Sequence, residues 1–278
     1  MELHSITPGT CIVRNTAAHK GRTQAIAPGK TTASRHLRYG RIILDAGDAP
    51  LSVESGANET GLICLKGSAT ATVDGASYAL DRYDALYVPR DHAVTIAPGP
   101  NGCDLAEIAA PVSKGHPVQH VRFADVQANP GLHFNAGGPS SKRDLNVLIG
   151  KNVEAGRIMA GVTFSDQGNW TSWPPHEHAA MLEEAYLYID MPAPAFGIQL
   201  VYTNPQEPEL ATIVREGDVV MMPQGYHPNV AAPGGPINFL WMMAAVREDE
   251  DRQYGVVNVQ PDFANLGSGL DKGRSEKK

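Results

Sequence analysis

The chain has 278 residues, of which 42% are hydrophobic, 28 are glycine and 21 are proline. That apolar share builds a real core, which excludes a disordered chain, and the density of Gly and Pro excludes a long-helix bundle or coiled coil in favour of short elements joined by turns. With 23 basic against 30 acidic residues the net charge is −7, and no cluster of Lys and Arg offers a surface for nucleic acid.

The only basic run, Lys272-Gly273-Arg274-Ser275-Glu276-Lys277-Lys278, reads as part of a solvated, disordered tail beginning at about residue 267. Cys11, Cys64 and Cys103 are odd in number and widely spaced, so they form neither a disulfide framework nor a zinc ribbon. Cys64 reads as a small buried apolar side chain. The first residues show no charged-then-apolar signal segment. The longest uncharged stretch, 228–246, is broken by Pro233, Gly234, Gly235 and Pro236, unlike a membrane span. A cytoplasmic protein is expected.

Strand-like runs follow one another along the chain. Gly61–Leu65 and Ala69–Val73 lead to Asp74-Gly75, and Ala76–Leu80 follows; short β-prone runs flanking Asp-Gly predict a hairpin. Ala85–Val88 stops at Pro89, and Ala93–Ile96 ends near Pro98. Strands at this spacing predict a sandwich or barrel. Helical periodicity is nearly absent; 123–129 predicts one or two turns before Pro130-Gly131. The second half repeats the pattern with strands over 157–164, 184–189, 196–202, 218–222 and 239–246.

Those halves are related. Asp84-Ala85-Leu86-Tyr87-Val88-Pro89, closed by His92, matches Asp218-Val219-Val220-Met221-Met222-Pro223, closed by His227, and the two Asp residues stand 134 positions apart. A period of about half the chain means duplicated domains rather than a solenoid. Gly and Pro crowd residues 112–140, so the expected units are 1–125 and 126–278.

His176 and His178 stand at i and i+2 in Trp173-Pro174-Pro175-His176-Glu177-His178, so on an extended chain both imidazoles face one way. Glu183 and Glu184 follow at the start of a strand, and His227 comes later, after Pro223 and Gly225. Three His and one carboxylate suit Mn, Fe, Ni, Zn or Co, with positions left for water or substrate.

This pattern, His-x-His with a following Glu and then Gly-Asp-x4-Pro-x3-His, resembles the two motifs of the cupin superfamily. The segments 168–178, Glu183–Tyr186, Gly197–Thr203 and Gly217–Pro228 are similar to those of 5-deoxy-glucuronate isomerases of inositol catabolism and of the related 4-deoxy-L-threo-5-hexosulose-uronate isomerases. The likeness is strongest over 157–246, weaker over 61–97, and ends at Glu248. It implies an all-β bicupin of two jelly-roll barrels. The C-terminal barrel would bind a divalent metal through His176, His178, Glu184 and His227. Glu184 aligns with the family's metal glutamate, and alternation then turns Glu183 outward unless a bulge intervenes. The N-terminal barrel keeps His92 but has only Asn58-Glu59 where the ligands would be, so it is expected to lack a metal.

The implied activity is aldose–ketose isomerisation of a small sugar acid, a deoxy uronate. Glu183 is a candidate base, Tyr202, Tyr186 and Gln199 are candidates to orient the sugar, and Arg143, ahead of Arg157, is the candidate fork for the substrate carboxylate. Trp170, Trp173 and Trp241 read as wall or core. His178 is followed by Ala179-Ala180 where the isomerases usually have an Asp, and the ending after Tyr254 departs from theirs. The same ligands could serve an Fe(II) dioxygenase, and a non-catalytic sugar-binding cupin is a further alternative. The resemblance also suggests a homo-oligomer.

Overall fold

The computed structural model describes residues 5–29, 33–267 and 269–270; most of the expected tail, and its basic run, lie outside them. Two β-sheet units stand side by side. The N-terminal sheet runs in the order Gly21–Ile26, Arg38–Leu44, Ala93–Pro111, Asn58–Val73, Ala85–Val88, Gln119–Val121. Two further strands, Leu51–Glu54 and Ala76–Leu80, flank the far halves of the two longest. The Asn58–Val73 strand bends at register shifts around Lys66 and Ser68, which curls one ladder into a barrel wall. Its tip is the expected hairpin, with Val73 opposite Ala76 and both Asp74 and Gly75 at positive φ, the backbone a two-residue turn requires.

The C-terminal unit packs a seven-stranded sheet against a four-stranded one. The first contains Val219–Met222, Leu182–Tyr188, Phe239–Ala245, Ile158–Ser165, Arg143–Ile149 and His133–Ala136 in that order; the second runs Trp170–Thr171, Asn229–Ala231, Gly197–Val201, Leu210–Val214. The short helix Phe123–Ala128 links the two units, and the expected division at 125/126 falls inside it. One expectation is corrected. Residues 12–13 belong to the C-terminal sheet, where Ile12 and Val13 pair with Val220 and Val219, and Arg14 forms an ion pair with Asp218 at 2.7 Å. Residues 12–13 thus lie on the unit that the later chain builds.

Three apolar cores result. One fills the N-terminal barrel and includes the fully buried Cys64, whose thiol burial pushes up to about 12; one fills the C-terminal barrel. The third lies between the barrels and joins Tyr39, Ile63, Tyr87 and Ile108 to Ile158, Val162, Leu187 and Met242. The Leu182–Tyr188 strand is consequently buried at every residue. Its even residues face the C-terminal lumen and its odd ones face the other barrel, as the two-residue repeat of a strand dictates.

Two carboxylates cross that inter-barrel layer in opposite directions. Glu183, 1% exposed, accepts backbone N–H bonds from Arg35 (2.7 Å), His36 (2.6 Å) and Leu37, just before the Arg38–Leu44 strand. Glu59, fully buried, accepts them from Gly156 (2.8 Å), Arg157 (2.6 Å) and Ile158 (2.7 Å), where the corresponding C-terminal strand begins. Glu59 lies opposite Ala110 and Glu183 opposite Ala244, residues separated by the same 134 positions as the sequence repeat. Each barrel thus caps the start of one strand of the other.

Glu183→Ala orphans three N–H groups at about 1–3 kcal/mol each, so a loss of roughly 3–5 kcal/mol is expected in urea unfolding followed by tryptophan fluorescence. Glu183→Gln, which keeps one acceptor oxygen, should lose less; a loss below about 1 kcal/mol for the alanine variant would remove the clamp from the account.

Candidate metal centre

His176 lies in a short strand, His176–Glu177, pinned to Asn258–Val259. His178 follows it, Glu184 comes from the Leu182–Tyr188 strand, and His227 follows the turn at Gly225. That turn needs glycine: φ is +86°, and a Cβ would stand 2.5 Å from the Tyr202 carbonyl oxygen. The ligand atoms of the three histidines all lie within 4.8 Å of one another. Glu184 Oε2 stands 3.0 Å from His178 Nε2 and 3.1 Å from His227 Nε2.

All three rings are oriented alike. Nδ1 of His176 meets the Pro174 carbonyl at 2.8 Å, that of His178 the Leu182 carbonyl at 3.0 Å, and that of His227 the Gly225 carbonyl at 2.9 Å. A carbonyl can only accept, so the network assigns the proton to Nδ1 and leaves the Nε2 lone pairs converging. His227 Nε2 is buried with no hydrogen-bond partner. Lone pairs aimed at a carboxylate repel it, and a cation among them removes the conflict. The donor set therefore fits a divalent transition metal. Burial, with His227 and His178 alongside, holds His176 down at about 3, so its ring is neutral and able to ligate. Burial raises the Glu184 carboxyl, but His178 and His227, when they carry a proton on Nε2, lower it to about 2, and a cation in the place of that proton would do the same.

The same cavity is lined by Arg143, Thr163, Ser172, Tyr186 and Trp241. The Arg143 side chain is buried; its guanidinium donates to the Ser141 and Trp173 carbonyls, each at 3.0 Å. Among the described residues no carboxylate pairs with it, so a buried positive charge faces the cavity uncompensated. Gly137 makes room for it, since a Cβ there would meet Arg143 Nη1 at 2.9 Å. Tyr186 shares a hydrogen bond with Ser172 Oγ at 2.8 Å and its hydroxyl donates to Glu184 Oε2 at 3.4 Å. Burial, with Glu184 beside it, pushes its hydroxyl well above the usual phenol range, so Tyr186 stays protonated.

Several expectations change. Glu183 is not in this cavity: its carboxylate is consumed by the N–H groups of residues 35–37, which removes it as a base. Tyr202 is also outside; its hydroxyl donates to Gln260 Oε1 at 2.8 Å and tethers the C-terminal segment. Gln199 supports the site from behind, donating to the His227 carbonyl at 2.9 Å. Arg157 is spent on the carbonyls of Pro111, Ala245 and Val246. Sequence reasoning missed Thr163 and Ser172, and it read Trp241 as wall. Thr163 Oγ1 and Trp241 Nε1 are buried without partners at the cavity, a signal that only three dimensions reveal. It also missed the cover: Tyr254 stacks on Trp241 at 5.0 Å, and residues 254–257 close one wall.

Two β-barrels of one repeat, with His-x-His, Glu and a late His converging in the second, define a bicupin. Solved structures agree on the fold. An IolB-like protein from Salmonella typhimurium LT2 superposes with a TM-score of 0.81 at 21% identity, covering 92% of this chain and 99% of that one. An oxalate decarboxylase variant from Bacillus subtilis superposes at 0.63 and 13% identity, covering 99% and 87%.

The chain belongs to the KduI/IolB family, whose model matches residues 11–263, past Glu248 where the sequence motifs end. Similar proteins named 5-deoxy-glucuronate isomerase occur in Geobacillus thermodenitrificans, 29% identical over 61% of this chain and 65% of that one, and in Geobacillus kaustophilus, 28% identical over 70% and 74%. A third, in Shouchella clausii, is 32% identical over 55% and 56%. The chain thus spans between half and three quarters of the length of these relatives.

His176→Ala and His227→Ala should each reduce bound metal from one equivalent to background, measured by elemental analysis after dialysis, with the circular dichroism spectrum unchanged. Stoichiometric metal in both variants would refute the ligand set.

Proposed function

We propose that the chain is a metal-dependent aldose–ketose isomerase of a deoxy uronic acid, converting 5-deoxy-D-glucuronate to 2-deoxy-5-keto-D-gluconate. The observation that carries this reading is the uncompensated Arg143 guanidinium in the same cavity as the His-Glu cluster. One end of the cavity suits a carboxylate and the other suits a carbonyl with its neighbouring hydroxyl. The names of the similar proteins support the same chemistry.

Arg143 binds the substrate carboxylate through charge-assisted hydrogen bonds, which fixes the sugar chain end to end. A divalent metal held by His176, His178, Glu184 and His227 would supply Lewis acidity at the carbonyl and hydroxyl oxygens. Tyr186 holds its proton on the phenol oxygen and, with Ser172, donates toward a substrate oxygen that gains charge during the isomerisation. Thr163 Oγ1 and Trp241 Nε1, otherwise without partners, satisfy themselves on substrate hydroxyls. Tyr254 and its neighbours exclude water from the reacting carbons.

The test is proton NMR of the metal-loaded enzyme in D₂O with a panel of deoxy-uronates and ordinary uronates. Exchange at C2 with appearance of the ketose is the expected result. Oxygen uptake coupled to turnover would favour a dioxygenase and overturn the proposal, and binding without turnover would favour a sensor. Arg143→Met should raise KM by about 100-fold, equivalent to roughly 2.7 kcal/mol, with kcat reduced less, because the carboxylate contact is made in both ground and transition states.

A further inference from the structure

The N-terminal barrel has no counterpart of the His-Glu cluster among its described residues, and its apolar core leaves one part of the lumen open. A cavity of about 230 Å³ opens there, lined by Arg22, Gln24, Arg38, Asn58, Thr60 and Glu107, among others. The register shows why it is empty of protein. Gly40 lies opposite both Gln24 and Glu107, and Ala109 lies opposite both Arg38 and Thr60, so the floor is built from the two smallest residues. Alternation puts the longer residues of four adjacent strands on the same side.

The cavity is lined by two arginines and two carboxylates, Glu107 and the exposed Glu54, and they are not all paired. Arg22 forks onto Glu107, with Nε to Oε2 at 2.7 Å and Nη2 to Oε1 at 2.6 Å, and the pair is neutral. Arg38 has no ion pair among the described residues, and its Nε is buried with no hydrogen-bond partner. A buried N–H of a charged group with no acceptor is costly, and a ligand oxygen is what relieves it. Around it Asn58, Thr60 and Gln24 offer amides and a hydroxyl, and the Glu107 carboxylate accepts from hydroxyl donors. Arg38 pairs with neither carboxylate of the cavity, Glu107 or the exposed Glu54, so its free guanidinium, with neutral polar groups around it, suits the single carboxylate of a ligand that also carries several hydroxyls.

We propose that the N-terminal lumen is a second, metal-independent binding site for a small polyhydroxy carboxylate, with Arg38 taking the carboxylate and Glu107, Thr60 and Gln24 the hydroxyls. The site stands apart from the metal-bearing barrel and does not depend on the isomerase reading.

The experiment is isothermal titration calorimetry of the full chain, treated with EDTA, against D-gluconate and, as the uncharged control, sorbitol. Wild type should bind gluconate in the N-terminal lumen, and Arg143→Met, which removes the carboxylate contact proposed for the other barrel, should still bind it there. Arg38→Met should weaken binding by at least about tenfold, the loss of one charge-assisted contact. Gln24→Glu, on an exposed rim strand where folding is not at stake, adds a negative charge and should weaken gluconate by a similar factor. Sorbitol should bind at least about tenfold more weakly than gluconate. The proposal fails if EDTA-treated wild type takes up no gluconate at millimolar concentration. It also fails if Gln24→Glu binds as wild type does, or if sorbitol matches gluconate. Failure of these tests leaves the isomerase assay untouched, and failure of that assay leaves these untouched.

Discussion

The fold rests on the exchange of two buried carboxylates between its barrels. A sheet strand starts with N–H groups that no neighbour accepts, and burial of such groups is costly. Here one strand of each barrel begins inside the inter-barrel layer. Glu183 takes the three N–H groups ahead of Arg38–Leu44, and Glu59 takes those ahead of Ile158–Ser165. Neither barrel can satisfy its own strand start. Each barrel's strand start is therefore satisfied only in the presence of the other, and the shared core of Tyr39, Tyr87, Ile158 and Leu187 adds apolar area around it.

The same constraint sets the candidate metal centre. Glu183 and Glu184 are neighbours on one strand, so fixing one toward the other barrel fixes its neighbour toward the C-terminal lumen. A one-residue slip would exchange the two, taking the carboxylate from the histidines and orphaning three N–H groups at once. Register is thus held by two independent penalties. Arg143 is held by a comparable device on the opposite wall: the glycine at 137 admits the guanidinium, and carbonyls of Ser141 and Trp173 orient it without cancelling its charge.

Much of this was legible in the sequence, and what was not has a common cause. The repeat, the hairpin at Asp74-Gly75, the strands and the convergence of His176, His178, Glu184 and His227 follow from local pattern. Alternation also separates Glu183 from Glu184. What it does not say is that the outward side of this strand is another protein surface and not water. The partners of Glu183 lie 146–148 residues away, and those of Glu59 lie 97–99 away. Tyr202 failed for a similar reason, since its hydroxyl meets Gln260 from a segment with no motif. The pairing of Ile12 with Val220 is equally long in range and only two residues wide, too short for any periodicity to register.

The repeat also explains how the barrels diverged while sharing one frame. Thr60 lies opposite Val88 and Ala109, and Glu184 lies opposite Met222 and Met243, so Thr60 occupies the position of the metal-centre carboxylate. Glu59 and Glu183, one position earlier, are the same residue. The clamp is thus present in both halves and the metal-centre glutamate in one, which ranks the two by what the fold needs. Gly40 and Gly161 make the same point in reverse. Gly161 lies flat beneath Trp241, whose ring a Cβ would meet at 2.3 Å, and Gly40 lies opposite Glu107, the residue 134 positions before Trp241. Both barrels keep a bare glycine so that a large side chain can cross the lumen. In one that side chain is an indole presenting a lone N–H beside the histidines. In the other it is a carboxylate that holds Arg22, so the same position carries an apolar wall in one barrel and an ion pair in the other.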